Sequence, residues 1–589
     1  MAKRRGVRLV ITLIVVAGII SLAAVAVAYV LLFREPAVPA HATLVLRVSG
    51  TLAETPPEPV ISQLTGGGRA TTVRAYVDNL RKAKIDPRVS SVLVIPTNLE
   101  LPYWGKLQEL RDAILDFRTS GKRAVAYLEY GGEHEYFLAS ACDRVFLLPS
   151  SPLDLNGLAS YELFLRGTLD KIGAYPDFYH IGDYKTAPNQ LTERTFTPAH
   201  REMSESLNRD LYDQLVRAIA DSRKKSVADV QRLLDDGPFL PEAALQAGLV
   251  DSLAYEDQLD DKGAFADRTL TLLEGDDYAR VNLRSLGLNR GPRIAVIYIV
   301  GLINSGPSGY DPVNGAVAGS DTLVEAIRTA RADSTVRAIV LRVDSPGGSS
   351  TASDVIWREL VVTRDEKANR PLVASMSDLA ASGGYYVAMA APQMVAEPGT
   401  LTGSIGIYGG KIVTGGTFEK LGANMEATSI GRNAQMNSPV RPFTESERAK
   451  FAEQLKAFYD QFVAKAATAR HMTRAQVDAL GQGRVWTGQQ AKANGLVDVL
   501  GGLDRAVALA KQRAGIPADT EVEIVNYPPR RSLFDLLAGE LSGGSGSGMA
   551  SLVALLGVTD RSAIGALTAP WRLFRRGEPL ALMPVSFLP

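Results

Sequence analysis

Two long stretches of this chain nearly repeat each other, and that repetition constrains the fold more than any other feature of the sequence. At a constant spacing of 247 residues, Phe196-Thr197 recurs as Phe443-Thr444 and Tyr212-Asp213-Gln214 as Tyr459-Asp460-Gln461. Ala247-Gly248-Leu249-Val250-Asp251 recurs loosely as Asn494-Gly495-Leu496-Val497-Asp498. Upstream the spacing becomes 249, which aligns Tyr136 with Tyr385, Pro149 with Pro398 and Ile181-Gly182 with Ile430-Gly431. Self-similarity at a fixed period is the signature of a duplicated unit. The copies differ at two chemically telling positions: Ser382 faces Glu133, and Lys185 faces Ala434. If both copies share one fold and pack as a pair, a serine from the second can meet a lysine from the first.

Each copy alternates apolar strand-like runs with helix-like segments. In the first copy Val89 to Ile95 reads as a strand, Leu107 to Thr119 as a helix and Arg123 to Leu128 as a strand. The second copy follows the same order with Ile294 to Tyr298, Val336 to Val343, a helix around Ala352 to Thr363, and Pro371 to Ser375. Alternation of this kind predicts an α/β fold with crossover connections. Segments rich in helix formers, Thr197 to Leu234 and Thr444 to Leu480, predict a helical portion closing each copy. Gly291-Pro292, unsuited to a helix or central strand, marks the boundary between copies.

The 25 positions from Leu9 to Phe33 carry no charge, and at ~1.5 Å per residue they reach across a hydrocarbon layer roughly 30 Å thick. Lys3, Arg4, Arg5 and Arg8 precede them, so the positive-inside rule keeps the N-terminus cytoplasmic and sends the rest of the chain outside. A cleaved signal peptide is the alternative, but the apolar run is longer than a signal core and favours a retained anchor. The expected order is a cytoplasmic N-terminus (1–8), a transmembrane anchor (9–33), a linker (34–44), a first repeat (45–290), a second repeat (291–515) and a C-terminal tail (516–589). In the tail, Ser542 to Gly548 reads as a flexible spacer. The apolar pieces Leu552 to Val558 and Leu580 to Leu588 are too short to span a membrane as helices and are expected to dock on a subunit, on the body or at the bilayer.

Lysine plus arginine balance aspartate plus glutamate at 64 each, which gives no electrostatic reason to expect a nucleic-acid partner. The single cysteine, Cys142, excludes an intrachain disulfide or a cysteine-based metal cluster, and its neighbours predict a small buried residue.

Ser382 stands in Ala380-Ala381-Ser382-Gly383-Gly384, ahead of an apolar run that reads as a buried helix. The two glycines allow close approach, so this serine is either a nucleophile or a plain helix N-cap. Asp344-Ser345-Pro346-Gly347-Gly348-Ser349-Ser350 turns from a strand into a helix, with Ser349 or Ser350 as cap. Its paired glycines can bring N–H groups to a substrate carbonyl. The first copy has Pro96 to Glu100 here and lacks the pair. A serine nucleophile needs a base, and none of His41, His134, His180, His200 and His471 has supporting local sequence. A lysine serves if burial lowers its pKa from ~10.4 towards neutrality. Lys185 is the leading candidate, after an expected strand Asp177 to Ile181 and a Gly182 turn; a solvent-facing loop lysine is the alternative.

Ser-Pro-Gly-Gly-Ser, Ala-Ala-Ser-Gly-Gly-Tyr-Tyr, Thr-Leu-Thr-Gly-Ser-Ile-Gly and Gly-Asp-Tyr-Lys together resemble the signal peptide peptidases, in their long two-repeat form, over residues 45 to 515. The resemblance implies tandem crotonase-like repeats, with Ser382 as nucleophile and Lys185 as general base. It further implies that Ser404 orients the lysine, that N–H groups of Gly348 and Gly383 form the oxyanion hole, and that four chains assemble as a ring. Neither metal nor other cofactor is called for. The implied activity is a membrane-anchored serine endopeptidase that degrades cleaved signal peptides and other apolar peptides at the outer face of a bacterial cytoplasmic membrane. Asp344 departs from the family, where asparagine is frequent. Two other functions stay open on the residues alone: acyl-coenzyme A chemistry, since paired N–H groups also stabilise a thioester enolate, and a non-catalytic peptide-binding scaffold.

Overall fold

Apolar runs bounded by turn residues form parallel strands in both copies, and helices connect them. The computed structural model describes residues 16, 18, 35–55, 72–260, 263–265, 271–311, 315–366, 370–528 and 580–583. The first copy builds a six-stranded parallel sheet. Its strands run, edge to edge, Ser252–Leu253, Arg144–Leu147, Arg123–Leu128, Val89–Leu99, Ala42–Gly50 and Thr271–Glu274. The second copy builds an eight-stranded sheet around Arg293–Val300, Val336–Ser345 and Leu372–Ala381. All ten residues of Leu372–Ala381 are buried, as expected for a central parallel strand covered on both faces.

The duplication extends to individual hydrogen bonds. Helices Pro198–Arg223 and Glu445–Arg470 are each 26 residues long, and each ends on a residue in the left-handed conformation, Lys224 or His471. Arg223 donates to Asp251 and to the Gly248 carbonyl, and Arg470 does the same to Asp498 and Gly495. The Tyr136 hydroxyl donates to the Leu249 carbonyl, as that of Tyr385 does to Leu496. A sequence spacing thus appears in space as the same polar lock made twice.

A third sheet of seven strands joins parts that are distant in sequence. Its order is Gly309–Asp311, Gly315–Gly319, Leu302–Asn304, Gly347–Ser349, Leu580–Leu582, Ile407–Val413 and Tyr175–Ile181. The last strand belongs to the first copy and pairs antiparallel with Ile407–Val413 of the second, so the copies share a sheet.

Buried ion pairs add to that union. Arg342 donates to Glu54 and Glu109 of the first copy, each at 2.6 Å, and Lys106 of the first copy pairs with Asp344 at 2.7 Å and Asp378 at 3.0 Å.

Two sequence boundaries shift. The first strand starts at Ala42, inside the stretch expected to be a linker, because Ala42 already pairs with Val89 and Thr271. The second copy's sheet continues past residue 515, since Glu523–Tyr527 lies parallel to Arg293–Val300. Of the tail's apolar pieces, Leu580–Leu582 docks on the body as a strand, whereas Leu552 to Val558 and the Ser542 to Gly548 spacer lie outside the described residues. The expected anchor Leu9 to Phe33 also lies outside them except for Val16 and Gly18, both helical. Among the described residues no helix is long and apolar enough to cross a membrane.

Candidate active site

Ser382 occupies the turn between the strand Leu372–Ala381 and the helix Gly383–Ala388. Its backbone has φ 54° and ψ −113°, a region few non-glycine residues enter and one that costs roughly 1–3 kcal/mol. The Ser382 N–H donates to the Gly403 carbonyl at 2.8 Å, which helps hold the turn. Its hydroxyl makes no capping bond to the helix, so the plain N-cap reading fails. Ser349, by contrast, does cap: its Oγ accepts from the Ala352 N–H.

Lys185 reaches the serine from the other copy. The strand Tyr175–Ile181 ends in a turn at Gly182, whose φ of 103° favours glycine, and the Tyr184 N–H then donates to the Gln482 carbonyl at 2.9 Å. Gly483 lies flat against the lysine: a Cβ there would stand 2.4 Å from Lys185 Cα. Gly406 packs along the side chain, where a Cβ would stand 3.1 Å from Lys185 Cδ. Sequence reasoning gave neither glycine a role, although Gly406 closes the Thr-Leu-Thr-Gly-Ser-Ile-Gly motif and Gly481-Gln482-Gly483 is a visible turn signal.

Lys185 Nζ lies 2.9 Å from Ser382 Oγ, 2.9 Å from Ser404 Oγ and 3.3 Å from the Ser404 carbonyl oxygen. Lys185, Ser382 and Ser404 are all fully buried. Burial holds the Lys185 ammonium well below the usual lysine range, because desolvation disfavours the charged form. A neutral amine has two N–H donors and one lone pair. With both donors directed at the two Ser404 oxygens, the lone pair is left for the Ser382 hydroxyl. Three of the histidines have other partners: His200 pairs with Glu162, His134 packs at a tilt against Trp104, and His180 Nδ1 lies 3.0 Å from the Gly182 carbonyl.

Gly347 and Gly348 have φ of 105° and 149° and bring their backbone beneath Ser382's neighbour: a Cβ on Gly347 would stand 2.7 Å from the Gly383 nitrogen. Asp344, the departure from the resembled pattern, forms the Lys106 ion pair and accepts from the Leu379 N–H at 3.2 Å. Its carboxylate therefore ties the first copy to the glycine turn. Cys142 is buried as expected, which pushes its thiol up to about 12.

The sequence model of peptidase family S49 matches residues 116–264 and 364–517. The chain belongs to this family. It is a serine protease in the long two-repeat form, and Lys185 falls in the first matched stretch while Ser382 and Ser404 fall in the second. It is similar to a chloroplastic serine protease SPPA of Arabidopsis thaliana, 37% identical over 78% of this chain and 69% of the relative. It is also similar to protease 4 of Salmonella typhi, at 32% identity over 79% of this chain and 75% of that one. With protease 4 of Haemophilus influenzae the identity is 28%, over 83% and 82% of the respective chains. The acyl-coenzyme A and non-catalytic alternatives give way to this assignment.

Proposed function

We propose that this S49 peptidase is a membrane-anchored endopeptidase with a Ser382/Lys185 dyad, acting on cleaved signal peptides and other apolar peptides. The observation that carries the reading is the buried 2.9 Å contact between Lys185 Nζ and Ser382 Oγ. Lys185, neutral through desolvation, takes the hydroxyl proton as Ser382 Oγ adds to the substrate carbonyl. The Gly348 and Gly383 N–H groups receive the developing oxyanion. Lys185 then protonates the leaving amine, and the same base activates water to release the acyl group. Ser404 orients the amine through its hydroxyl and carbonyl.

The uncharged Leu9 to Phe33 segment after Lys3, Arg4, Arg5 and Arg8 supports a single-pass anchor in a bacterial cytoplasmic membrane, with the body on the outer side. In this reading residues 45–290 and 291–515 are crotonase-like repeats, each supplying half of the dyad, and four chains form a ring. The test is labelling by a serine-directed fluorophosphonate. Wild type is labelled and Ser382→Ala is not; label retained by Ser382→Ala sinks the assignment.

A further inference from the structure

The strands that lead into the glycine turn and the serine turn slip against each other just before those turns. Val336–Ser345 and Leu372–Ala381 run parallel in steady register from Ile339 beside Leu372 to Val343 beside Met376. The next pair is Ser345 with Ala380, so a single residue, Asp344, stands against three, Ser377, Asp378 and Leu379. An unbroken register would have set Ser345 beside Asp378. A slip of two residues keeps every side chain on its own face, and it carries the Gly347-Gly348 turn two residues further along, to the level of Ser382. There a Cβ on Gly347 would stand 2.7 Å from the Gly383 nitrogen and 3.1 Å from the Ala381 carbonyl oxygen. Bulges beside active sites re-aim groups in this way.

The charges that hold the slip reach in from the first copy. Lys106 Nζ lies 2.7 Å from Asp344 Oδ2 and 3.0 Å from Asp378 Oδ2, so one ammonium bridges the short side of the bulge and its long side. The Lys106 N–H donates to Asp378 Oδ1 at 2.8 Å, which seats that carboxylate at the N-terminus of the helix Gly105–Arg118, where the helix dipole favours negative charge. Asp344 Oδ1 accepts from the Leu379 N–H at 3.2 Å across the bulge. Gly105 permits the approach, since a Cβ there would stand 2.7 Å from the Ser377 carbonyl oxygen. The side chains of Lys106 and Asp344 are each 11% exposed and that of Asp378 6%, so solvent ions screen the bridge little. Burial opposes the charge on Lys106, but Asp344 and Asp378 outweigh it and hold the ammonium above the usual lysine range.

We propose that Lys106 is a positioning residue for catalysis: by clipping Asp344 to Asp378 it fixes the slip that sets the Gly348 and Gly383 N–H groups around the oxyanion formed at Ser382. This rests on the dyad reading above. The first copy then supplies two lysines in opposite charge states, Lys185 to take the proton and Lys106 to hold the oxyanion donors in place without touching substrate. Lys185 is held separately, by the Gln482 carbonyl beside Tyr184 and by Gly483 against its backbone. Loosening the clip therefore displaces the oxyanion donors while the base keeps its contact with Ser382. Transition-state binding falls and ground-state binding does not.

Steady-state kinetics on full-length Lys106→Met, normalised to sites titrated to completion with a fluorophosphonate, test this. The kcat per titrated site is expected to fall by about 10–100-fold with KM unchanged. Affinity for a peptide aldehyde, whose serine adduct places its oxygen among the same donors, is expected to fall by a similar factor. Lys106→Met leaves two carboxylates buried without a cation, so the uncharged Lys106→Met/Asp344→Asn/Asp378→Asn is measured beside it. That variant lacks the clip but holds no lone charge, and it is expected to show the same loss per site. A kcat per site near that of wild type in either variant overturns the inference, because Lys106 then does no more than neutralise charge. A rise in KM alone, or an unaltered aldehyde affinity, overturns it as well. Label retained by Ser382→Ala overturns the dyad reading and this inference with it.

Discussion

Lys185 Nζ and Ser382 Oγ meet at 2.9 Å although the residues stand 197 positions apart in the chain and belong to different repeats. The contact exists because the strand Tyr175–Ile181 leaves the first copy to pair with Ile407–Val413 of the second, delivering the Gly182 turn beside the serine. Neither repeat holds both groups. The proposed dyad thus depends on how the repeats are joined as well as on how each one folds.

Removing the proposed base tests the chemistry most directly. Lys185→Ala is expected to fold and to lose peptide turnover by about 10²–10⁴-fold or more, the scale of general-base assistance. Steady-state kinetics with circular dichroism as a folding control check this. Wild-type turnover in the variant counts against a lysine base.

The pH profile has a defined sign. In the proposed mechanism turnover requires the neutral amine, so kcat/KM is expected to rise as pH rises through the depressed Lys185 pKa and to remain high above it. Stability follows the same group. Above about pH 10.5 the amine is neutral in both folded and unfolded chains, and burial carries no ionisation penalty. As pH falls below that, the unfolded chain gains a proton that the folded chain refuses, and stability drops by up to about 1.4 kcal/mol per pH unit until the folded-state pKa is reached. Lys185→Met lacks this term. The gap in unfolding midpoint between it and wild type should widen as pH is lowered from about 10 towards neutrality.

In the proposed mechanism Ser404 acts on the amine rather than on substrate. Ser404→Ala removes the oxygen 2.9 Å from Lys185 Nζ and leaves the carbonyl at 3.3 Å. Loss of one such partner is expected to lower kcat by roughly 10–100-fold, about 1.4–2.8 kcal/mol, with little change in KM. The acid limb of the pH profile should move as well, which a purely structural defect would not produce.

Gly483 is a steric probe of the same contact. At φ 80° and with a Cβ due to land 2.4 Å from Lys185 Cα, Gly483→Ala must displace the lysine loop. Turnover is expected to fall by at least about 10²-fold, the effect of roughly a 1 Å misplacement of a reacting group. Unchanged kcat in this variant would show that the loop tolerates displacement.

The Arg342 cluster joins the repeats. Arg342→Leu leaves Glu54 and Glu109 buried without their cation, and breaking a buried pair in this way costs about 3–5 kcal/mol. Chemical denaturation should show a midpoint well below that of wild type, with activity falling in parallel as the repeats separate.

Much of this was legible in the chain. The strand and helix order and the candidates Ser382, Lys185 and the glycine pair follow from local patterns, because periodicity and turn chemistry act over a few residues, and the duplication follows from the 247-residue spacing; Ser404 entered only with the family resemblance. The strand beyond Gly515 was less legible, since its existence depends on an edge supplied from elsewhere. Gly406 and Gly483 were not singled out, because their importance lies in what packs against them. Arg342 was hidden within an apolar strand, where its partners Glu54 and Glu109 are hundreds of positions away.

The sequence by itself determined that there are two α/β copies, and that one carries the serine and the other the lysine. Only the tertiary structure decided that these side chains touch, that burial lowers the pKa of the lysine and that the strand Leu580–Leu582 lies across the glycine turn. The reason is physical: local patterning selects strands and helices, whereas desolvation, strand pairing and a 2.9 Å contact arise only when distant segments exclude water together.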